Sequence, residues 1–174
     1  MNQAIILTVV GSDQPGLTRA IADAVFEAGG NWLESHFSRL GGKYVGSVLV
    51  DLPAERLRDL EDFTRKIDAI GIRVDLVAPI ETAERKGERL AIEIVGQDRP
   101  GIVRTVTTVL AGLEVNIEAF TTSIEGSAWS GAPLFRAKAE LLIPAGLTTR
   151  EVREALEGIS GEIMVDFATE AATA

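Results

Sequence analysis

The sequence has no cysteine and a single histidine, His36. Without cysteine there can be no disulfide, no thiolate metal ligand and no thiol nucleophile. One histidine does not furnish an ordinary zinc site. An excess of positive charge is missing too: 17 Lys and Arg face 26 Asp and Glu, for a net charge of −9. The basic residues are scattered among acidic ones, which speaks against a groove for nucleic-acid backbone, where Lys and Arg must cluster. No apolar run approaches the ~20 residues of a membrane span. Met1-Asn2-Gln3 leads straight into β-forming residues, without the basic start and cleavage site of a leader. The expectation is a soluble, cytoplasmic chain that holds no cofactor and no metal and uses neither membrane nor direct nucleic-acid contact. A hydrophobic share of 46% beside 25% charged residues fits an ordinary globular protein.

What the sequence does have is one short stretch, twice. Gly11-Ser12-Asp13-Gln14-Pro15-Gly16-Leu17 returns as Gly96-Gln97-Asp98-Arg99-Pro100-Gly101-Ile102, a shift of 96 − 11 = 85 positions. The same shift lays Arg19 on Arg104 and Asn31 on Asn116 with no gap. Each copy follows a run of apolar β-formers, Ala4 to Val10 and Leu90 to Val95. Each precedes an apolar stripe at helical spacing, Leu17, Ala20, Ile21, Ala24, Val25 and Ala28 in one copy and Ile102, Val106, Val109, Leu110 and Leu113 in the other. The stretch is therefore a strand-to-helix corner in a tandem duplication. Its aspartate can cap the helix, its proline suits the first helical position, and its glycine allows close approach of another group.

Along the chain the spacing predicts strand one over 4–10, helix one over 15–28 closed by Gly29-Gly30, and strand two over 31–40, polar enough for a sheet edge. A Gly41-Gly42 hairpin leads to strand three over 43–51, halted by Pro53. A helix with Leu57, Leu60, Phe63, Ile67 and Ile70 on one face and a strand over 72–78 complete the unit. The second copy repeats the order with a strand from Arg89, a helix over 100–113 and strands over 115–124 and 134–143. A longer Gly- and Ser-rich loop over 125–133 carries Trp129. A Thr148/Glu151 capping box opens the last helix, and a strand over 162–168 follows. The fold class is α+β: two ferredoxin-like βαββαβ units, each a four-stranded antiparallel sheet with two helices on one face. The expected boundaries are 1–80, a charged linker 81–88, 89–168 and a frayed tail 169–174.

This order, with Asp-x-Pro-Gly at the first corner and an asparagine opening strand two, resembles the ACT domain, the small-molecule regulatory module of many amino-acid biosynthetic enzymes. Two units with no catalytic domain resemble the glycine cleavage system transcriptional repressor group. Asn31-Trp32-Leu33-Glu34-Ser35 with Leu40-Gly41 is similar to its first repeat, and Ser130-Gly131-Ala132-Pro133-Leu134-Phe135 to its second. The resemblance implies that a small amino acid binds between two units set side by side. The groups implied are Asp13, Gln14, Pro15, Gly16 and Leu17 with Asn31, and Asp98, Arg99, Pro100, Gly101 and Ile102 with Asn116. A helix N-terminus would receive the carboxylate, an aspartate the ammonium, and an asparagine amide both donates and accepts. Arg99 replaces Gln14, so the two sites need not be equivalent.

The same residues have plainer readings. Asp13 and Asp98 serve equally as helix caps. His36 is a polar edge residue with no nucleophile tied to it, Trp32 a packing residue, and Trp129 either an interface anchor or a ring buried in its own unit. An RNA-recognition module shares the strand order, and Lys43-Tyr44-Val45-Gly46-Ser47-Val48 faintly echoes its third strand, but strand one lacks the aromatics and the charge has the wrong sign. No catalytic set or phosphate loop is visible. The expectation is a non-enzymatic amino-acid sensor, for glycine or a near relative, that regulates transcription through a protein partner such as a transcription factor. The alternative is a free-standing regulatory subunit of an amino-acid metabolic enzyme. Strand-two edges are expected to meet in an interface within the chain or in a homodimer.

Overall fold

The structure, a computed structural model, describes residues 1–68, 71–80, 86–126, 133–159 and 163–168. The chain divides into two compact units, Met1–Thr82 and Ala83–Ala174. Ile70, residues 81–85 of the connector, Trp129 with Ser130-Gly131-Ala132, Gly161, Glu162 and the tail 169–174 lie outside the described residues.

The first unit runs β1 (Asn2–Ser12), α1 (Leu17–Glu27), β2 (Asn31–Leu40), β3 (Lys43–Pro53), a 3-10 turn (Ala54–Arg56), α2 (Leu57–Asp68) and β4 (Ile72–Val77). Its antiparallel sheet has the order β2-β3-β1-β4, so β2 is an edge. β1 is central but covered on one face only. Ile5, Leu7 and Val9 are buried under Leu17, Ile21 and Val25 of α1 and Leu60 and Ile67 of α2, while Thr8 and Val10 face the other way. That alternation is hidden in a nearly all-apolar run, because Ile6 and Val10 on the open face are apolar as well. Each fully buried Leu, Ile or Val contributes about 1.5–3 kcal/mol, and this layer is what holds the corner at the end of β1.

The second unit repeats the plan with β5 (Glu88–Gln97), α3 (Ile102–Gly112), β6 (Asn116–Gly126), β7 (Pro133–Ile143), α4 (Thr149–Glu157) and β8 (Ile163–Ala168), in the order β6-β7-β5-β8. Its core sets Ile92, Ile94 and Leu141 against Val106, Leu110, Val152 and Leu156. The capping box forms: Thr148 Oγ1 accepts from the Glu151 N–H while the Glu151 carboxylate accepts from the Thr148 N–H at 2.8 Å. The Thr148 hydroxyl, which donates to the Glu151 carboxylate at 2.6 Å, and then the Thr148 N–H hold the Glu151 carboxyl below the usual carboxylate range.

Two expectations at the corners need correction. Helix one starts at Leu17, not Pro15, and helix three at Ile102, not Pro100. The N-cap residues are Gly16 and Gly101, in the left-handed region at φ 94° and 86°, and no side chain caps either helix. The chain arrives from the sheet at an angle that only a positive φ can turn into the helix. The aspartate, three residues earlier, lies outside capping reach, and the proline stiffens the turn instead of opening the helix. β3 runs two residues past the expected Asp51 and stops at Pro53, which is itself still paired opposite Asn2 at the strand's end.

Candidate functional site

Each corner leaves a strand that pairs with the central hairpin. In the first unit Gly11 and Ser12 lie opposite Tyr44 and Lys43, which in turn lie opposite Arg39 and Leu40 of β2. This register brings Arg39 to the corner, where its Nε donates to the Asp13 carboxylate at 2.8 Å. Two further links tie the corner down. Lys43 Nζ donates to Ser12 Oγ at 3.1 Å, and the Thr18 and Tyr44 hydroxyls share a hydrogen bond of 2.6 Å. Tyr44 stacks on Phe37, with ring centroids 4.9 Å apart, and Phe37 leans on Trp32. Trp32 is thus a half-buried packing residue of this aromatic row.

The second corner has the same backbone and different chemistry. With the 85-residue shift, Ile124 stands where the first unit has Arg39, and Val103 where it has Thr18. From the pairing opposite Gly96 and Gln97, Phe135 replaces Tyr44 and Leu134 replaces Lys43. The Asp98 N–H donates to the Pro133 carbonyl at 3.0 Å, and the Asp98 carboxylate has no partner among the described residues. The Ile102 N–H is taken by the Arg99 carbonyl at 3.3 Å. At both corners a methyl group added to the cap glycine would meet nothing within 4 Å, so the space over Gly16 and Gly101 is open. Gln14, Pro15, Arg99 and Pro100 are exposed, while Leu17 and Ile102 are buried anchors of their helices.

The asparagines are elsewhere. Asn31 lies opposite Asp51, and Asp51 is 51 − 44 = 7 residues along β3 from Tyr44, about 23 Å at ~3.3 Å per residue. In the second unit Asn116 lies opposite Leu142, again 7 residues from Phe135. Neither unit therefore brings its own aspartate and asparagine together. Asn116 instead borders a recess of about 340 Å³ with Lys86, Glu114, Leu142 and Pro144. Glu114 holds φ 56°, a left-handed conformation, at the place of Gly29 in the first unit.

Sequence reasoning missed three features. Both edge strands carry a β-bulge at the same place, between Trp32 and Glu34 and between Ile117 and Ala119. Irregular pairing of this kind leaves no mark in composition. On the helix-free face of the first sheet, Glu34, His36 and Ser47 border a recess of about 200 Å³. His36 Nε2 lies 3.0 Å from the Glu34 carboxylate, but no hydrogen bond joins His36 to Ser47. No nucleophile is activated there. On the matching face of the second sheet Arg136 bridges Glu93 and Glu125, beside a recess of about 350 Å³ that includes Thr121, Lys138 and Glu140. The guanidinium holds Glu93 below the usual carboxylate range, and the two carboxylates raise Arg136. Among the described residues no group of three or more potential ligands converges on a metal site, and no helix is long and apolar enough to cross a membrane.

Residues 3–76 match the family model of the ACT domain. The chain superposes on an unknown protein from Galdieria sulphuraria with a TM-score of 0.78 at 24% identity, covering 97% of this chain and 100% of that one. It also superposes on a candidate glycine cleavage system transcriptional repressor with a TM-score of 0.73 at 14% identity, covering 98% of this chain and 99% of that one. At these identities the likeness is one of fold. A search of curated proteins finds no match.

Proposed function

We propose, from the match of residues 3–76 to the ACT domain model and the repeat of the same strand order in the second unit, that this chain is a non-enzymatic sensor of a small amino acid, glycine or a near relative, held at its strand-to-helix corners. The observation that carries the reading is the corner itself: an uncapped helix N-terminus behind a left-handed glycine, open above, with a carboxylate three residues away, in both units. An uncapped N-terminus favours a ligand carboxylate by about 0.3–1 kcal/mol, too little to hold a small molecule alone. A charge-assisted bond from the ligand ammonium to the aspartate adds about 1.5–3 kcal/mol. Together they recognise both poles of a zwitterion, and the backbone-lined corner suits a minimal side chain. Since aspartate and asparagine are far apart within a unit, any part played by Asn31 or Asn116 is toward the corner of another unit.

The output follows from fold likeness and charge. One structural relative is a candidate glycine cleavage system transcriptional repressor, and the net charge of −9 suits action through a protein partner better than direct DNA contact. The protein acts on transcription through that partner, in the cytoplasm. Calorimetric titration of the intact chain with each of the twenty amino acids tests the reading. Glycine is expected to bind, a small polar side chain such as that of serine to be tolerated, and large side chains to be excluded. No binding by any of the twenty overturns it.

A further inference from the structure

The recess of about 350 Å³ on the helix-free face of the second sheet has a plan set by strand register. Ala91 of β5 lies opposite Glu140 of β7, and Glu140 lies opposite Ala119, the first regular pair of β6 after its bulge. In the next row of the same face Glu93 lies opposite Lys138, and Lys138 opposite Thr121. The space over Ala91 is therefore flanked by two carboxylates, Glu140 across the strands and Glu93 along β5. The space over Ala119 is flanked by the Thr121 hydroxyl along β6 and, on the diagonal, by the Lys138 ammonium. Arg136 holds the Glu93 carboxylate in place. Lys138 and Glu140 make no hydrogen bond and no ion pair among the described residues. Both methyl floors are peculiar to this unit. The matching pair of the first sheet is Ile6 opposite Leu49, with Ser47 at the place of Lys138, and its recess measures about 200 Å³.

We infer that this recess binds a linear ω-amino carboxylate, an aliphatic chain with an ammonium at one end and a carboxylate at the other. The ammonium sits over Ala91 between Glu93 and Glu140. The carboxylate takes the Lys138 ammonium and the Thr121 hydroxyl beside Ala119, and the methylenes cross β7 between them. β5 and β6 are two strand spacings apart, ~9–10 Å, so a chain of about five methylenes reaches from one seat to the other. Glycine is too short to touch both. The four polar groups are solvent-accessible, and an exposed ion pair is weak by itself. Binding therefore needs both charged ends at once, with an alkyl chain that covers the alanine methyls. This site lies on the sheet face, apart from the strand-to-helix corners, and does not depend on the corner reading.

Calorimetric titration of the intact chain with ε-aminocaproate tests the assignment. It is expected to bind, while hexylamine and caproate, each with one charged end, bind about tenfold or more weakly. Ala91→Ile installs the residue that the first unit carries at the matching position, so the sheet accommodates it. It is expected to fill the recess and abolish binding with the melting temperature kept. Lys138→Ser, matched to Ser47, is expected to reduce ε-aminocaproate to the affinity of hexylamine, which checks the site by a second route. Asp98→Ala, at the corner, is expected to leave this binding unchanged whatever it does to glycine. No binding of ε-aminocaproate, equal binding of the three compounds, or wild-type affinity in both Ala91→Ile and Lys138→Ser overturns the assignment.

Discussion

Asp98→Ala separates the two roles open to the corner aspartates. In the structure this carboxylate caps no helix and meets no cation among the described residues. Its removal should change stability by no more than ~0.5 kcal/mol, the range of an uninvolved surface position. For a unit of this size that is a shift of about 2–4 °C at most. If Asp98 holds a ligand ammonium, the same substitution removes a charge-assisted hydrogen bond of about 1.5–3 kcal/mol, which weakens binding about tenfold to a hundredfold. Asp13→Ala is the companion measurement. It breaks an ion pair with Arg39 whose members are 34% and 73% exposed, worth about 0–1 kcal/mol after solvent screening. An ammonium must displace Arg39 at the first corner but nothing at the second, so the affinity loss should be greater in Asp98→Ala. The assay is thermal melting with and without glycine, with calorimetry on the same samples; glycine at a hundred times its Kd raises stability by about 2.7 kcal/mol. An Asp98→Ala chain that loses more than about 1 kcal/mol of stability while binding glycine like wild type would show a structural role missed here and refute the reasoning.

Three other substitutions test the scaffold. Glu114→Gly relieves a left-handed φ of 56° at a non-glycine residue and should stabilise the second unit by about 0.5–1 kcal/mol, read as a higher urea midpoint; a fall would mean that a contact of Glu114 holds its conformation. Gly46→Ala drives a methyl into the His36 carbonyl oxygen and the Phe37 ring, so β2 must part from β3. A loss of about 2 kcal/mol or more, with fast amide exchange along 31–40, is expected, and an unchanged melt would contradict the pairing. Thr148→Ala should cost about 1 kcal/mol at neutral pH through the lost cap. Glu151 is held ionised by that box, with its folded pKa depressed, so the stabilisation is full above the unfolded value of about 4.3 and fades as pH falls through the lower folded one. Melting curves of wild type and Thr148→Ala should therefore converge in acid, and a gap that stays constant down to the acid end would rule the linkage out.

Much of this protein is determined locally and so can be read from the chain. Glycine at a hairpin turn, as at Gly41-Gly42, a capping box at Thr148, and apolar residues repeating at 3.6 positions each depend on neighbours within a few residues. The 85-residue repeat carries that information twice, which is why the order of elements, the two-unit plan and β2 as an edge were legible. What only the tertiary structure decided is which distant side chains meet. Asp13 finds Arg39 through the register of three strands, from Ser12 across Lys43 and Tyr44 to β2, and no spacing along the chain encodes that meeting. The same register separates Asp13 from Asn31, residues that a helix of 11 residues carries to opposite ends of the sheet. The alternation of β1 was invisible for a related reason: both faces carry apolar side chains, and only the two helices packed on one of them make that face the core. Short-range rules set each corner's backbone, and cross-strand pairing decides whether its carboxylate is already engaged.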